Sequence, residues 1–241
     1  MSIQTKKVFM AMLLHFPIFV LLHTIPFIMG HAFINKDFLP FLSAEHLHFP
    51  LERWLIWVVP SLALILLFKN DLFLNLKEMF SNKVKWKTLV LCILPLLIYL
   101  VGGLILAKYT GFSTGRPLRK FASTHEFFTT LSTESWWALI TPAIPEEMVF
   151  RAWIQNALLG KSPSRKRAII AILISNIMFV IIHLPTYFYS HNLSISQIIF
   201  EASFVFIMGS VFGLMFLKSK NILVPIGAHW ITDIFAFTFW V

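Results

Sequence analysis

Long apolar stretches separated by short polar segments run along the whole chain. Stretches of about 20 apolar residues have the length that crosses the hydrocarbon core of a bilayer as a helix. The pattern predicts six such helices. They are Val8–Met29, Trp54–Phe68, Leu89–Ala107, Ala168–His183, Gln197–Leu217 and Ile222–Val241. The second apolar stretch is short, and its helix is expected to begin before Trp54, near Leu51.

A seventh apolar stretch, Trp136–Leu159, differs from the others because charged residues interrupt it. Glu146 and Glu147 are adjacent, and Arg151 follows four residues after Glu147. A charged side chain at the centre of a bilayer costs at least about 2.5–3.5 kcal/mol. Three of them so close together therefore indicate a polar site inside the membrane.

Composition supports a polytopic membrane protein. Hydrophobic residues make up 58% of the 241 residues, charged residues 13%, and the mean hydropathy is +0.78. Soluble domains have roughly 25% charged residues. The connecting segments are too short for a separate soluble domain, so we predict one membrane domain over residues 1–241. The predicted fold is all-α with about seven transmembrane helices, six to eight, an intramembrane polar cavity, and an interfacial or re-entrant helix within Gly111–Ser135.

The distribution of basic residues predicts the orientation in the membrane. With the N-terminus in the cytoplasm, 13 of the 20 Lys and Arg residues fall on the cytoplasmic side, as the positive-inside rule requires. The net charge of +9 then reflects contact with anionic lipid headgroups and needs no nucleic acid. The compact chain suits a multi-pass protein of a prokaryotic cell membrane. The single cysteine, Cys92, forms no intrachain disulfide.

Helical spacing separates the roles of the two carboxylates. Residues four apart share a helix face, so Glu147 can pair with Arg151. Glu146 is rotated by about 100° from its neighbour, and we expect it to be unpaired and available as a general base. A structural ion pair between helices is the alternative interpretation.

Two later stretches supply partners for these carboxylates. His183 follows Phe179 by four residues at the end of one stretch, and Asp233 follows His229 by four residues in the last stretch. Spacing of four lets Asp233 orient the His229 ring or lets both face a shared centre. A common polar cavity explains all of these residues together, whereas three independent interhelical hydrogen bonds would explain them separately.

The ordered set of motifs resembles a known family. E-E-x-x-x-R (Glu146, Glu147, Arg151), F-x-x-x-H (Phe179, His183) and H-x-x-x-D (His229, Asp233) are similar to the motifs of the CPBP intramembrane proteases. These comprise CAAX prenyl endopeptidases and bacteriocin-processing enzymes, also called Abi proteins. The resemblance covers Trp136–Asp233. The last position is usually Asn in the family, and an ionised Asp233 would repel an oxyanion unless it is protonated, binds a metal or only orients His229.

The resemblance implies peptide-bond hydrolysis within the membrane. Glu146 and His183 would activate a water, while His229 and Asp233 would stabilise the oxyanion or position the peptide. Glu147, Arg151 and Phe179 would support the site. Whether a metal takes part stays open: Glu146, His183 and His229 can supply three ligands for Zn, yet no H-E-x-x-H motif occurs.

The expected function is an endopeptidase acting on a membrane-associated peptide or a lipidated protein. A non-catalytic bacteriocin self-immunity or peptide-binding protein is one alternative. Another is a proton-coupled transporter with Glu146, His183 and Asp233 as its relay, which should have discontinuous helices in both halves. The loop charges predict a site that opens away from the cytoplasm, whereas the CAAX-type relatives are expected to open toward it.

Overall fold

The computed structural model describes residues 3–28, 53–110, 119–190 and 193–239, and these ranges contain helices and no strand. The predicted boundaries at Met29, Leu51 and Val241, and residues 111–118 of the predicted interfacial segment, lie outside the described residues. We number the helices in chain order. They are α1 (Ile3–Ile28), α2 (Trp54–Leu67), α3 (Leu76–Ser81), α4 (Trp86–Thr110), α5 (124–159), α6 (165–190), α7 (Ile195–Ser219) and α8 (Leu223–Phe239).

Several helices have the length and apolar character of membrane spans. Three of those in the described ranges can cross a bilayer by length and composition: Lys6–Thr24, Arg165–Phe188 and Ile195–Ser219. Two shorter apolar helices are Trp54–Leu67 and Leu223–Phe239. Large apolar side chains lie on the outside of the helices, as in Leu14 and Ile177, which suits contact with lipid. These features indicate an integral membrane protein, and the exact number of seven spans stays a prediction.

Helix α5 joins the predicted interfacial segment to the predicted charged span. It begins after Ser123, whose hydroxyl accepts a hydrogen bond from the Glu126 amide, and it continues without a break to Leu159. Two π-helical stretches, Leu139–Ala143 and Met148–Gln155, occur within it. Pro142 lies inside the first of them, and proline removes an amide donor from the helix. The two π-helical stretches lie on either side of Glu146 and Glu147.

Helix α6 extends further than the sequence predicts. The expected end at His183 is wrong, because the helix passes through Pro185 and closes with a π-helical turn over Thr186–Ser190. The proline frees a backbone carbonyl in the preceding turn, and the chain widens its helix there instead of stopping. His183 consequently lies within the helix rather than at its last residue.

The core surrounds the middle of α5. Every residue of Met148–Gln155 is buried, and Phe150 and Trp153 belong to a large apolar cluster that also includes Phe19 of α1 and Trp57 of α2. A second apolar cluster joins α4, α7 and α8. Glu146, Glu147 and Arg151 of α5 thus lie in the interior of the helix bundle.

The short helix α3 has no counterpart among the predicted elements. Asn75 caps it in a reciprocal arrangement, in which its side chain accepts from the Glu78 amide and its amide donates to the Glu78 carboxylate. Asn156 of α5 then holds the preceding segment through two hydrogen bonds with the backbone of Leu74, of 2.9 and 2.8 Å. The segment between α2 and α4 is therefore fixed against the C-terminal end of α5.

Candidate active site

Charged and polar residues from four helices meet around Glu146. We call this group the polar cluster. Its members are Arg53, Glu146, Glu147, Arg151, His183, His229 and Asp233.

Glu146 is at the centre of the polar cluster. One of its carboxylate oxygens, Oε2, lies 4.0 Å from His183 Nε2 and 3.6 Å from His229 Nε2. The glutamate is only 3% exposed. The structure thus brings the candidate residues of three separate sequence motifs to one point, as the interpretation of a common site predicts.

The expectation that Glu146 is unpaired is wrong. Arg53 donates from Nη1 to Glu146 Oε1 over 2.7 Å. The guanidinium also approaches the Thr141 carbonyl at 3.4 Å and lies over the Trp57 ring, 4.6 Å from its centroid. Local sequence spacing does not predict this pair, because only the tertiary packing of α2 against α5 brings Arg53 to the glutamate.

Glu147 forms the predicted pair with Arg151 and a further bond to His229. Its Oε1 lies 3.2 Å from Arg151 Nη1 and accepts a 2.9 Å hydrogen bond from His229 Nδ1. Both members of the pair are fully buried. Because Glu147 holds Nδ1, the other ring nitrogen of His229 is turned toward Glu146 and Asp233.

His183 has a defined orientation. Its Nδ1 donates a 2.7 Å hydrogen bond to the Phe179 carbonyl, since a carbonyl oxygen can only accept. In the neutral ring, Nε2 then carries the lone pair, and this atom faces Glu146. Phe179 also contacts the ring edge-on at 4.7 Å between centroids and receives the Arg151 guanidinium on its own ring at 4.7 Å. Phe179 thereby links the histidine to the buried ion pair.

Asp233 approaches the same nitrogen of His229 as Glu146 does. Its Oδ2 lies 3.3 Å from His229 Nε2, yet the atoms are not aligned as a hydrogen bond, and within the described ranges Oδ2 has no hydrogen-bond partner. The side chain is 16% exposed. Glu147 therefore orients the histidine ring, while Asp233 faces the centre of the cluster.

A second layer of polar residues, which is not among the predicted site residues, holds Arg151. Arg151 Nη2 donates to the Gly209 carbonyl over 2.9 Å and approaches Asn176 Oδ1 at 3.5 Å. Asn176 Nδ2 donates to the Ser210 hydroxyl over 2.6 Å. A Cβ atom at Gly209 would lie 2.3 Å from Asn176 Oδ1. The signal for this layer was an asparagine within an otherwise apolar span, three residues before Phe179.

The polar cluster as arranged does not fit the Zn site proposed for Glu146, His183 and His229. In the part of the chain that the structure describes, no three His, Cys, Asp or Glu side chains are placed to hold a metal ion. The carboxylate that would be the acidic ligand is paired with a guanidinium at 2.7 Å. A second cation there would be repelled by Arg53.

Comparison with known families supports the motif-based interpretation. Residues 129–235 match the family model described as Type II CAAX prenyl endopeptidase Rce1-like. We refer to this matched segment as the Rce1-like domain, after the family that it is similar to. It is consistent with the CPBP family, it contains every predicted site residue, and it excludes Arg53. Rce1-like proteins are intramembrane proteases. No curated protein and no solved structure matches the chain.

Proposed function

We propose that the chain is an intramembrane endopeptidase that cleaves a membrane-associated peptide or a lipidated protein with a water activated by Glu146 and His183. The observation that carries this proposal is the approach of Glu146 Oε2 to His183 Nε2 at 4.0 Å inside the Rce1-like domain. A buried carboxylate facing an imidazole lone pair is suited to general base catalysis.

The separation of these two atoms suits a bridging water. It is too long for a direct hydrogen bond, whereas one water at about 2.8 Å from each atom spans it. The water oxygen attacks the carbonyl carbon of the scissile peptide bond, and its proton passes to Glu146. The carbonyl becomes a tetrahedral oxyanion. Glu146 then returns the proton to the leaving amine as the carbon–nitrogen bond breaks, and a carboxylic acid and an amine are released.

His229 is the proposed donor to the oxyanion. The bond from Nδ1 to Glu147 leaves Nε2 facing the centre, 3.6 Å from the Glu146 carboxylate. A proton on Nε2 would donate to the developing negative charge, which is the largest stabilising effect in many acyl-transfer enzymes. Asp233 competes for that proton because its Oδ2 is 3.3 Å away. The His229 and Asp233 pair therefore controls how well the oxyanion is held.

The substrate and the location belong to the same proposal. The matched family is named for prenyl endopeptidases, so a farnesylated C-terminal peptide is the first substrate to test, and an apolar leader peptide of the bacteriocin type is the second. We propose that both reach the site from the lipid bilayer, in a protein whose N-terminus is cytoplasmic.

The test is cleavage by purified protein in liposomes. Quenched fluorescent versions of both peptides are mixed with wild-type protein, with Glu146→Gln and with Glu134→Gln. Glu134 is the control because its partner, Arg119, lies 3.8 Å away in a partly exposed pair outside the cluster. Wild type and Glu134→Gln should cleave at least one peptide, and Glu146→Gln should cleave neither. Retained cleavage by a folded Glu146→Gln would contradict the proposal.

One observation favours a second candidate function. Asp233 adds a third carboxylate to a cluster that already contains Glu146 and Glu147, and an ionised Asp233 would oppose an oxyanion. A protein that binds a peptide without cleaving it, such as an immunity protein, tolerates that charge. Saturable binding of the fluorescent peptide with no cleavage by wild type would favour this function.

A further inference from the structure

Arg53 is a charged residue of the polar cluster that lies outside the Rce1-like domain. It immediately precedes the π-helical turn Trp54–Val58 at the start of α2, whereas the matched segment begins at residue 129. We propose that Arg53 is a positioning residue for the endopeptidase reaction, holding Glu146 Oε1 so that Oε2 faces the reacting water. This inference rests on the proposed function.

The two oxygens of Glu146 have different surroundings. Oε1 accepts the 2.7 Å bond from Arg53, which is the length of a strong charge-assisted hydrogen bond. Oε2 is the atom nearest to His183 Nε2 and His229 Nε2, at 4.0 and 3.6 Å. Holding one oxygen fixes the rotation of the carboxylate. The other oxygen is thereby aimed at the point between the two histidines.

The guanidinium is itself held by neighbouring groups. The Trp57 ring lies beneath it at 4.6 Å, and the Thr141 carbonyl is 3.4 Å from Nη1. Trp57 is 1% exposed and contacts Phe19 and His23 of α1 edge-on, at 4.7 and 5.0 Å between ring centroids. Helices α1 and α2 therefore form a support that fixes the position of the general base.

A positioning role differs from a purely structural ion pair in its kinetic effect. A structural pair lowers the amount of folded enzyme when it is lost, and the remaining folded enzyme works normally. A positioning residue acts only on the chemical step, so its loss lowers kcat and leaves KM unchanged. A residue that binds the substrate would instead raise KM.

The experiment compares Arg53→Ala, Arg53→Lys and the control Arg119→Ala in the liposome assay, with activity corrected for folded protein. Misplacement of a reacting group by about 1 Å costs about 100-fold, so kcat of Arg53→Ala should fall by about that factor at unchanged KM. Millimolar guanidinium ion should restore part of the lost kcat of Arg53→Ala, since the ion can replace the missing arginine side-chain group. Arg53→Lys should retain more activity than Arg53→Ala, and Arg119→Ala should match wild type.

The outcomes separate this inference from the proposed function. If wild type cleaves and Glu146→Gln does not, then a wild-type kcat in Arg53→Ala, or a raised KM alone, overturns the positioning role. Should Arg53→Ala fail to fold, Arg53→Gln, which removes the charge, decides: a lowered kcat at unchanged KM supports the role, and wild-type values of both overturn it. A wild type without activity, or an active Glu146→Gln, overturns the proposed function and this inference with it.

Discussion

Arg151→Met is expected to destabilise the protein strongly. Arg151 and Glu147 are fully buried, with 3.2 Å between Nη1 and Oε1. The substitution leaves the Glu147 carboxylate without its cation and the Gly209 carbonyl without its 2.9 Å donor. Removing one partner of a buried ion pair costs about 3–5 kcal/mol of unfolding free energy.

Thermal unfolding in detergent measures this cost. For a domain of this size, 1 kcal/mol shifts Tm by about 2–4 °C, so Tm of Arg151→Met should fall by roughly 6–20 °C. Arg119→Met is the matched control, because Arg119 also pairs with a glutamate, at 3.8 Å and with about a quarter of its side chain exposed. Exposed pairs contribute about 0–1 kcal/mol, and the control should change Tm little.

A double variant sharpens the test. Glu147→Gln removes the buried charge that Arg151→Met leaves behind, so the double variant should lose less stability than the sum of the two single variants. Equal decreases in Tm for Arg151→Met and Arg119→Met, or additive stability losses for the two changes at the buried pair, would contradict this prediction.

Asp233→Asn removes a negative charge close to the developing oxyanion, so kcat for peptide cleavage should be retained or raised; a loss of cleavage in the folded variant would show that the carboxylate is needed. Gly209→Ala should lower the unfolding free energy by about 1–3 kcal/mol through overpacking. The control is Gly102→Ala, where an added Cβ meets nothing within 4 Å. Equal changes in Tm for the two variants would contradict the close packing at Gly209. In a cysteine-free background, Ser196→Cys should react with an impermeant maleimide in intact cells and Ser162→Cys only after permeabilisation; the reverse would invert the topology.

The sequence predicts most helices because lipid-facing helices are apolar over almost their whole length. The predicted Gln197–Leu217 corresponds to the observed Ile195–Ser219, and the predicted Trp54–Phe68 to Trp54–Leu67. Boundaries fail where proline is accommodated within a helix, as at Pro185, since a π-helical turn can absorb the lost hydrogen bond. The six-residue helix α3 is too short to have an apolar period.

The candidate site is predictable where its residues are charged side chains within apolar stretches, because such side chains cost free energy inside a membrane. Glu146, Glu147 and Arg151 interrupt an apolar stretch, and helical spacing correctly predicts the pair between Glu147 and Arg151. The contact of Arg53 with Glu146 and the hydrogen bond from His229 to Glu147 depend on how distant helices pack. Local sequence spacing does not encode this packing. An arginine at the end of an apolar span looks like a residue that contacts headgroups.

Glu146 is the proposed general base of an intramembrane endopeptidase. The most direct test is the cleavage of a farnesylated peptide by purified wild type and by Glu146→Gln, with equal insertion and folding shown for both. Wild type should turn the peptide over, and Glu146→Gln should not. Equal turnover by the two proteins would contradict it.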